Sequence, residues 1–563
     1  MKRSVMMRNQ IAGSLLLILF CAFFLLTGCS DLKPESILPA ADEAEEQTGA
    51  VNLENFLGFA GEEPNTMDPQ CTSGYYNVPL NVFDRLVEVK VENGETELVP
   101  SLAESWEISD DGLTYTFHLR EGVKFSNGNP LTSGDVRFTL ERLLTHPKAR
   151  NQDIAISIVG AEALRAKNAE KLEGFREIDD LNFEVTLEYP YGPFLACLST
   201  PGASILDEET VTEAGDRFGT DVSMTIGTGP FVLSEWKTGA EIVMTKNQAF
   251  WGEPAKCDGL RMIFLSGRVS PLTLFQDGTL DILDLEQIGS EAEYLIHGDI
   301  YQPLLVSGPR VGITYIALNE TSAQLRDVRV RKALQLALDR HAIMNAVISG
   351  RGYVENGIFP HGLIGYNPEL PEIPYDVEEA KQLMKEAGFE DGFELDIYYY
   401  TSSSSQTTKN LLEIVSYMWE KIGVKVNINE VAESYYMTAR QHGKLPSYAA
   451  TWSADFNDPD NFIYTFFGTQ ENTFARSLFY RNNDVIKRVR DARAIVDKEE
   501  RIAEYQDLEK IIIQDDAAWI PLYSSQHLFL VSERVKGFEV SWNGWSSTRY
   551  QNVYLENVPN QEG

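Results

Sequence analysis

A tryptophan and an aspartate lie three residues apart at Trp452 and Asp455, just before a turn set by Asn457-Asp458-Pro459. An indole offers a flat apolar wall, and a carboxylate held beside it can pair with a cation in a partly dehydrated site. The alternative on the local pattern is a surface loop in which Asp and Asn serve only as turn residues. The rest of the chain must decide between a cation-binding loop and a plain turn.

Size and charge set the first limits. The chain has 563 residues, which is more than one hydrophobic core holds, so two or three domains are expected. It carries 48 Lys and Arg against 84 Asp and Glu, a formal charge of −36 at pH 7. Because phosphate binding needs a basic surface, no nucleic-acid partner is expected. An acidic, solvated surface accounts for the charge.

Motifs typical of enzymes and metal sites are absent from the sequence. There is no HExxH and no GxSxG, and the 7 histidines are scattered without a cluster of His or Cys ligands. An isolated histidine is more often a structural hydrogen-bonding residue than a ligand. We therefore predict no catalytic residues, no metal site and no cofactor.

The amino terminus has the parts of an export signal. Lys2, Arg3 and Arg8 form a basic region, and residues 11–26 form an uncharged, mostly apolar run that ends in small residues. This run is shorter than the ~20 residues that span a bilayer. A cleaved signal peptide is therefore predicted, and a true transmembrane anchor is the alternative.

The signal ends in LTGC at 26–29, which resembles the bacterial lipobox. Such a site implies cleavage before Cys29 and lipidation of its thiol, which would hold the mature protein at the outer face of the membrane. Residues 1–28 are thus predicted as a lipoprotein signal peptide. Residues 29–50 combine prolines and acidic residues with few large apolar groups, which is typical of a flexible tether.

Three cysteines remain after the signal and the lipid site, at Cys71, Cys197 and Cys257. Three thiols cannot all pair, and the sequence leaves open whether any two form a disulfide. At least one is expected to be buried as a small hydrophobic residue.

Helices and strands alternate without regular βαβ repetition, which favours α/β lobes, each with a mixed sheet. The turn Asp110-Asp111-Gly112 separates two strand-like segments and predicts a hairpin, and Thr132 or Ser133 is expected to cap a helix. Further predicted strands are 53–59, 393–400 and 424–431, and further predicted helices are 327–338, 376–387, 411–422 and a long region at 485–515.

Several of these segments resemble the family 5 extracellular solute-binding proteins, the receptors of bacterial oligopeptide, dipeptide and nickel ABC importers. The matching segments are PSLAESW at 100–106, DGLTYTFHLR at 111–120, GVKFSNG at 122–128, LTSGDV at 131–136, IGTGPF at 226–231 and DVRVRKALQLALDR at 327–340. The glycines of the fifth segment, Gly227 and Gly229, are expected to adopt backbone conformations that other residues resist. This loop has no GKS or GKT and no basic residue, so nucleotide binding is not expected.

The resemblance covers the chain from about Val51 to its end and implies a two-lobed periplasmic-binding-protein-like α/β fold with a hinge and an extra domain. The implied divisions are lobe I at 51–87, 222–310 and 521–563, an appended domain at 88–221, and lobe II at 311–520. Two lobes joined by crossing strands would close on the ligand between them.

The family resemblance also gives the opening stretch a role. In the peptide receptors, a tryptophan is followed three residues later by an aspartate that pairs with the ligand's α-ammonium group, and Trp452 and Asp455 match this pair. We expect Asp455 to be the amine anchor, Trp452 to be a wall, and backbone groups near Thr451 and Ser453 to hold the peptide main chain.

One position departs from the family pattern. Oligopeptide receptors of enteric type carry an arginine three positions before the tryptophan, where it helps to hold the carboxylates of short peptides. This chain has Ala449 at that position, with Tyr448 beside it. Recognition of a ligand carboxylate must come from elsewhere or be absent, and the preferred peptide length stays open.

The function implied by the resemblance is a lipid-anchored, monomeric receptor that captures peptides and delivers them to an ABC permease and its ATPase. One alternative is the same fold with another ligand, such as a metal chelate or an oligosaccharide. Asp455 argues against a neutral sugar, and the few histidines argue against nickel. A second alternative is a peptide-sensing lipoprotein without a transport role.

Overall fold

The computed structural model describes residues 54–72, 76–92, 95–265, 269–288, 291–402, 404–543 and 548–556. The predicted signal peptide 1–28, the lipidation site Cys29 and the predicted tether 29–50 lie outside these residues. The described residues belong to one compact unit. None of their helices is both long and apolar enough to cross a membrane.

The strands in the described residues are β1 (Phe56–Gly61), β2 (Val87–Glu92), β3 (Glu95–Pro100), β4 (Ala103–Ile108), β5 (Thr114–Leu119), β6 (Phe175–Glu177), β7 (Asn182–Thr186), β8 (Phe231–Lys237), β9 (Glu241–Lys246), β10 (Gly259–Phe264), β11 (Ile282–Asp284), β12 (Leu305–Pro309), β13 (Gly312–Leu318), β14 (Gly352–Val354), β15 (Phe393–Tyr400), β16 (Val424–Val431), β17 (Ser447–Ser453), β18 (Trp519–Val531), β19 (Val535–Lys536) and β20 (Tyr554–Leu555).

The α-helices in the same residues are α1 (Pro79–Val82), α2 (Ser133–Thr145), α3 (Ala161–Arg165), α4 (Phe194–Leu198), α5 (Glu208–Ala214), α6 (Pro271–Gln276), α7 (Glu291–His297), α8 (Val328–Leu336), α9 (Arg340–Ile348), α10 (Val377–Glu386), α11 (Ser405–Glu420), α12 (Glu433–Gln441), α13 (Asp460–Phe467), α14 (Gln470–Ala475), α15 (Asn483–Ala492) and α16 (Lys498–Lys510).

A twelve-stranded mixed sheet runs through the molecule. Ten of its strands lie in the order β16-β15-β17-β13-β18-β11-β1-β10-β9-β8, and β12 and β14 also pair with β18. The pairs β15–β16 and β1–β10 are parallel, whereas β13 is antiparallel to both β17 and β18. The predicted α/β class with mixed sheets is confirmed.

The long strand β18 connects the two halves of this sheet, one formed by β13 to β17 and the other by β1 and β8 to β12. Its residues 519–523 pair with β13, and its residues 526–531 pair with β12 and β11. Strand β12 passes into β13 through residues 310–311, so a second connection runs between the halves. Small backbone rotations in two such connections can open or close a cleft. The predicted division at 520–521 falls inside β18, which continues there without a break.

A separate four-stranded sheet, in the order β4-β5-β7-β6, lies within residues 88–221, the range predicted for an appended domain. Its core contains stacked aromatic rings, with the centroids of Phe117 and Phe183 5.1 Å apart. Phe456, which follows Asp455 directly, packs into this core from a distant part of the chain. The loop with the predicted amine anchor is therefore attached to this domain by apolar packing. The exact division into lobes and an appended domain stays a prediction.

Local sequence signals explain where several elements begin. Thr132 and Asp135 form a reciprocal capping box at the start of α2, and the Asp327 and Asp376 carboxylates accept backbone N–H bonds at the starts of α8 and α10. These satisfy backbone donors that a helix leaves unpaired at its first turn. The hairpin β4–β5 is confirmed, and its turn uses Gly112 at φ +68°.

Some predicted boundaries were wrong. The helical region 485–515 contains two α-helices, because Asp497 caps a new helix by accepting from the backbone N–H of Glu500. The helix expected from Leu411 begins earlier, at Ser405, so the polar loop before it is shorter. The first strand begins at Phe56.

The two signature glycines, Gly227 and Gly229, are required for close packing. Neither has a positive φ, so the predicted cause was wrong. A Cβ on Gly227 would lie 2.1 Å from the carbonyl oxygen of Val82, and one on Gly229 would lie 2.6 Å from that of Asn81. Side chains at these positions would separate the loop from α1.

The three remaining cysteines, Cys71, Cys197 and Cys257, are free thiols. Cys197 and Cys257 are buried, as expected of small hydrophobic residues. Burial raises the pKa of Cys257 and of Cys71 to about 12. Both thiols therefore stay protonated, and weakly nucleophilic, at neutral pH.

Candidate ligand-binding site

The predicted site stretch is the end of strand β17 and the loop that follows it. Strand β17 pairs along its whole length with β13, with Ser453 opposite Gly312. The chain then leaves the sheet, and the backbone N–H of Ala454 donates to the carbonyl of Val311 at 2.9 Å. Helix α13 begins six residues later, at Asp460. The loop between them carries Asp455.

Trp452 and Asp455 face a cavity of about 300 Å³. One wall comes from the residues after β17 and from α13 to α15, and the other comes from the domain that contains β4 to β7. The lining residues are Asp153, Ile156, Ser157, Tyr189, Tyr191, Trp452, Asp455, Phe456, Asp460, Asn461, Tyr464, Thr465, Arg476 and Arg493. Such a mixture of aromatic walls with a few charged groups is typical of a small-molecule site.

Asn461, in the first turn of α13, orients Asp455. Its side-chain oxygen accepts from the Asp455 backbone N–H at 3.0 Å, and its amide nitrogen donates to Asp455 Oδ2 at 3.2 Å. The same oxygen accepts from the indole Nε1 of Trp452 at 3.3 Å. One amide therefore fixes both predicted site residues, and Asp455 Oδ1 accepts no hydrogen bond from the part of the chain that the structure describes, which leaves it open to a ligand.

The carboxylate of Asp455 is open to the cavity, yet desolvation by the surrounding protein atoms raises its pKa above the ordinary value. Desolvation is the largest cause, the hydrogen bond from Asn461 opposes it, and the nearby charge of Asp153 adds to it. An ammonium group placed beside Asp455 would favour the ionised form and lower this pKa. The charge of Arg476 also opposes the raised pKa, but no cation lies within ion-pair distance of Asp455 among the described residues.

Trp452 forms an aromatic wall together with Phe466. The two rings meet edge to face, with their centroids 5.5 Å apart. The guanidinium carbon of Arg476 lies 4.7 Å from the Trp452 ring centroid and 5.0 Å from that of Phe466. Stacking against two rings fixes the plane of a guanidinium while leaving its N–H edge able to donate.

Buried ion pairs hold the rest of the loop rigid. Asp458 accepts two hydrogen bonds from Arg501, both of 2.7 Å, and both residues are buried. Asp460 pairs with Arg493 at 2.9 Å and accepts from the hydroxyl of Tyr505 at 3.0 Å. A paired and hydrogen-bonded charge inside a protein has little freedom to move. The loop that carries Asp455 is therefore preorganised.

The side chains of Thr451 and Ser453 lie on the opposite face of β17 from that of Trp452. Successive side chains of a strand point to opposite faces, and these two residues are exposed on the face away from the Trp452 ring. Neither belongs to the cavity lining. The two hydroxyls of Thr314 and Thr451 lie 2.9 Å apart.

The backbone of β17 offers a different feature. Within the described residues, β15 pairs with β17 only at Tyr398 and Tyr448. The edge of β17 away from β13, over residues 450–453, therefore has no strand partner in that part of the chain. An unpaired strand edge can accept an added extended peptide.

Sequence reasoning did not assign roles to several residues of this site, chiefly Asn461, Arg476 and Asp153. Asn461 closely follows the turn Asn457-Asp458-Pro459, but an asparagine at the start of a helix indicates only a cap or a turn. Asp153 lies some three hundred residues before the anchor, and no spacing signal connects them. No group of three or more His, Cys, Asp or Glu side chains suited to a metal ion occurs in the described residues.

The family model for bacterial extracellular solute-binding proteins, family 5 (middle), matches residues 97–474, more than half of the chain. The chain belongs to this family. Heme-binding protein A of Haemophilus influenzae is 31% identical over 90% of this chain and 94% of its own length. The dipeptide-binding protein of Escherichia coli K12 is 30% identical over 90% of this chain and 96% of its own.

Family 5 also accounts for the fold. The open, unliganded form of MppA, a periplasmic murein tripeptide binding protein, superimposes with a TM-score of 0.78 at 22% identity, covering 89% of this chain and 97% of that one. The family resemblance noted in the sequence and the two-lobed fold that it implied are confirmed. The family is one of extracellular binding receptors, so its members act outside the cytoplasm.

Proposed function

We propose that this chain is the substrate-binding protein of an ABC importer and that it captures peptides through Asp455. The observation that carries the proposal is the cavity in which this carboxylate lies open beside the Trp452 ring, positioned by Asn461 and without an ion-pair partner among the described residues. A peptide's α-ammonium group supplies that cation. The family assignment and the relatives named for dipeptide binding support the same function.

The unpaired edge of β17 supports recognition of the peptide main chain. A peptide laid along residues 450–453 would exchange backbone hydrogen bonds with Thr451 and Ser453 while its amino end approaches Asp455. Main-chain recognition does not depend on side-chain identity, so it suits a receptor for several sequences. Side-chain preference then comes from the cavity walls.

Haem is the competing ligand, because one relative is named for it. The cavity lining contains no His, Cys or Met, the side chains that most often bind haem iron. Among the described residues, its unpaired charges are two carboxylates, Asp153 and Asp455, and one guanidinium, Arg476, so the two propionate groups of haem would meet more negative than positive charge. The charges of this site therefore favour an amine over a haem.

Closure and anchoring complete the proposal. The two connections between the halves of the large sheet would let the lobes close over the peptide, and a membrane permease with its ATPase would recognise the closed form. A lipid on Cys29 and the tether 29–50 would keep a monomeric receptor next to that permease. Replacing Cys29 by Ala should abolish acyl labelling, and persistent labelling would contradict the anchor.

A thermal-shift screen of the mature chain tests the ligand class. Short peptides, their N-acetylated forms, haem, nickel and oligosaccharides are compared at equal concentrations. A ligand present at 100 times its Kd adds about 2.7 kcal/mol to stability and raises the melting temperature. Stabilisation by free-amine peptides but not by the acetylated forms is expected. Stabilisation by haem, nickel or sugar alone would replace the peptide by that ligand.

A further inference from the structure

The charges that line the cavity divide into paired and unpaired groups. Asp460 and Arg493 neutralise each other. By contrast, Asp153, Asp455 and Arg476 have no ion-pair partner among the described residues, although all three line the same space. The cavity therefore offers two carboxylates and one guanidinium to whatever enters it.

The guanidinium of Arg476 is held by aromatic stacking and, within the described residues, not by a salt bridge, so its N–H groups can donate to a ligand. It lies just after α14 and is packed over the Trp452 and Phe466 rings. The hydroxyl of Tyr448 donates to its backbone carbonyl at 2.9 Å, which fixes the start of the side chain. Burial lowers the pKa of Arg476, and a second cation, Arg440, lowers it further. An incoming carboxylate would relieve both effects.

Asp153 approaches the cavity from the opposite wall. It belongs to a 3-10 turn, Gln152–Ile154, whose last residue, Ile154, is buried in the core of the four-stranded sheet domain. The turn is entered through Asn151 at φ +57°, which directs the chain sharply at this point. Asp153 is thus fixed to a rigid wall. Burial raises its pKa, as it does that of Asp455.

We propose that the cavity selects short peptides with two free termini and a basic first residue. The α-ammonium group pairs with Asp455, the Lys or Arg side chain of the first residue pairs with Asp153, and the carboxylate pairs with Arg476. This inference rests on the proposed peptide function and names the ligand class of the same site.

Charge balance and size support this class. Two unpaired carboxylates and one unpaired guanidinium leave the cavity with one excess negative charge, and a peptide with one basic residue carries one excess positive charge. A cavity of about 300 Å³ lies at the small end of the range for ligand sites, which suits a peptide of few residues. Groups of opposite charge at separate positions on the cavity walls also determine which end of a ligand goes where.

The first experiment compares Lys-Ala with norleucine-Ala by isothermal titration calorimetry on the mature chain. Norleucine keeps the length of the lysine stem and removes its charge. Lys-Ala is expected to bind about tenfold or more tightly than norleucine-Ala. In Asp153→Asn, this difference should disappear while the affinity for norleucine-Ala stays unchanged.

Asp110→Asn is the matched control for Asp153→Asn. Asp110 is an exposed acid in the β4–β5 turn of the same domain, so its loss changes the net charge equally without touching the cavity. Equal affinity for Lys-Ala and norleucine-Ala in the unaltered chain would overturn the role of Asp153. So would an unchanged preference in Asp153→Asn.

The second experiment compares Lys-Ala with its C-terminal amide in the unaltered chain and in Arg476→Met, which keeps an apolar stem over the two rings. The free acid should lose about tenfold or more in affinity in the variant, and the amide should change little. Equal losses for acid and amide would overturn the role of Arg476. If all these peptides bind with no dependence on charge, only this inference is contradicted. If none of them binds, the proposed peptide-binding function is contradicted as well.

Discussion

Replacing Asp455 by Asn should remove the amine anchor while leaving the shape of the site. Asparagine has nearly the size of aspartate, and its side-chain oxygen can still accept the hydrogen bond that Asn461 donates at 3.2 Å. The backbone bond from Asp455 to Asn461 is unaffected. What disappears is the negative charge that faces the cavity.

The magnitude follows from the surroundings of this carboxylate. Truncating one partner of a buried, hydrogen-bonded charge pair costs about 2–5 kcal/mol of binding free energy. Asp455 is open to the cavity before a ligand binds and already receives one hydrogen bond, so the low end applies. A loss of about 2–3 kcal/mol corresponds to about 30- to 150-fold in Kd.

Isothermal titration calorimetry with a dipeptide and its N-acetylated form measures this loss. The free-amine peptide should weaken by that factor in Asp455→Asn, and the acetylated peptide should bind both proteins with similar, low affinity. Asp391→Asn, at an exposed turn before β15, controls for the change in net charge. Equal losses for both peptides, or a loss in the control, would refute the assignment of Asp455.

Three further outcomes are expected. Because burial raises the pKa of Asp455 above its ordinary 3.8, peptide affinity should fall as the pH is lowered through that raised value; a Kd that stays constant from about pH 7 to about pH 4 would contradict this. Asp458→Asn should cost about 3–5 kcal/mol of unfolding free energy in urea titrations, because it leaves Arg501 buried without its countercharge; a loss below about 1 kcal/mol would show that the pair is dispensable. Burial raises the pKa of Glu509 to about 8, so the folded chain keeps a proton that the unfolded chain releases above 4.5, and stability from this group declines as the pH rises from 4.5 to about 8. Urea unfolding across that range should show a shallower decline for Glu509→Gln, and parallel curves would refute it.

The sequence predicted the elements whose signals are local. Strands β15 and β16 lie at the predicted residues 393–400 and 424–431, because alternating apolar residues between turns leave little choice. Capping aspartates marked helix starts in the same way. The region 485–515 has a helical pattern throughout and therefore predicts one continuous helix. The break between α15 and α16 depends on the side chain of Asp497, which accepts from the backbone N–H of Glu500 at the start of α16. Tertiary pairing, such as the continuation of β18 through both halves of the sheet, had no local signal.

The same distinction explains which half of the site could be inferred. Trp452 at the end of β17 and Asp455 in the loop that follows are three residues apart, so a short motif predicts them together. A carboxylate partner was sought at Ala449, but this residue is buried in the core on the face of β17 away from Trp452. We propose that Arg476 supplies this cation instead, and the hydroxyl of Tyr448, the neighbour of Ala449, donates to the backbone carbonyl of Arg476. On this proposal the amine anchor stays in the local motif while the cation for the ligand carboxylate lies on another element, and motif comparison detects only the first of these.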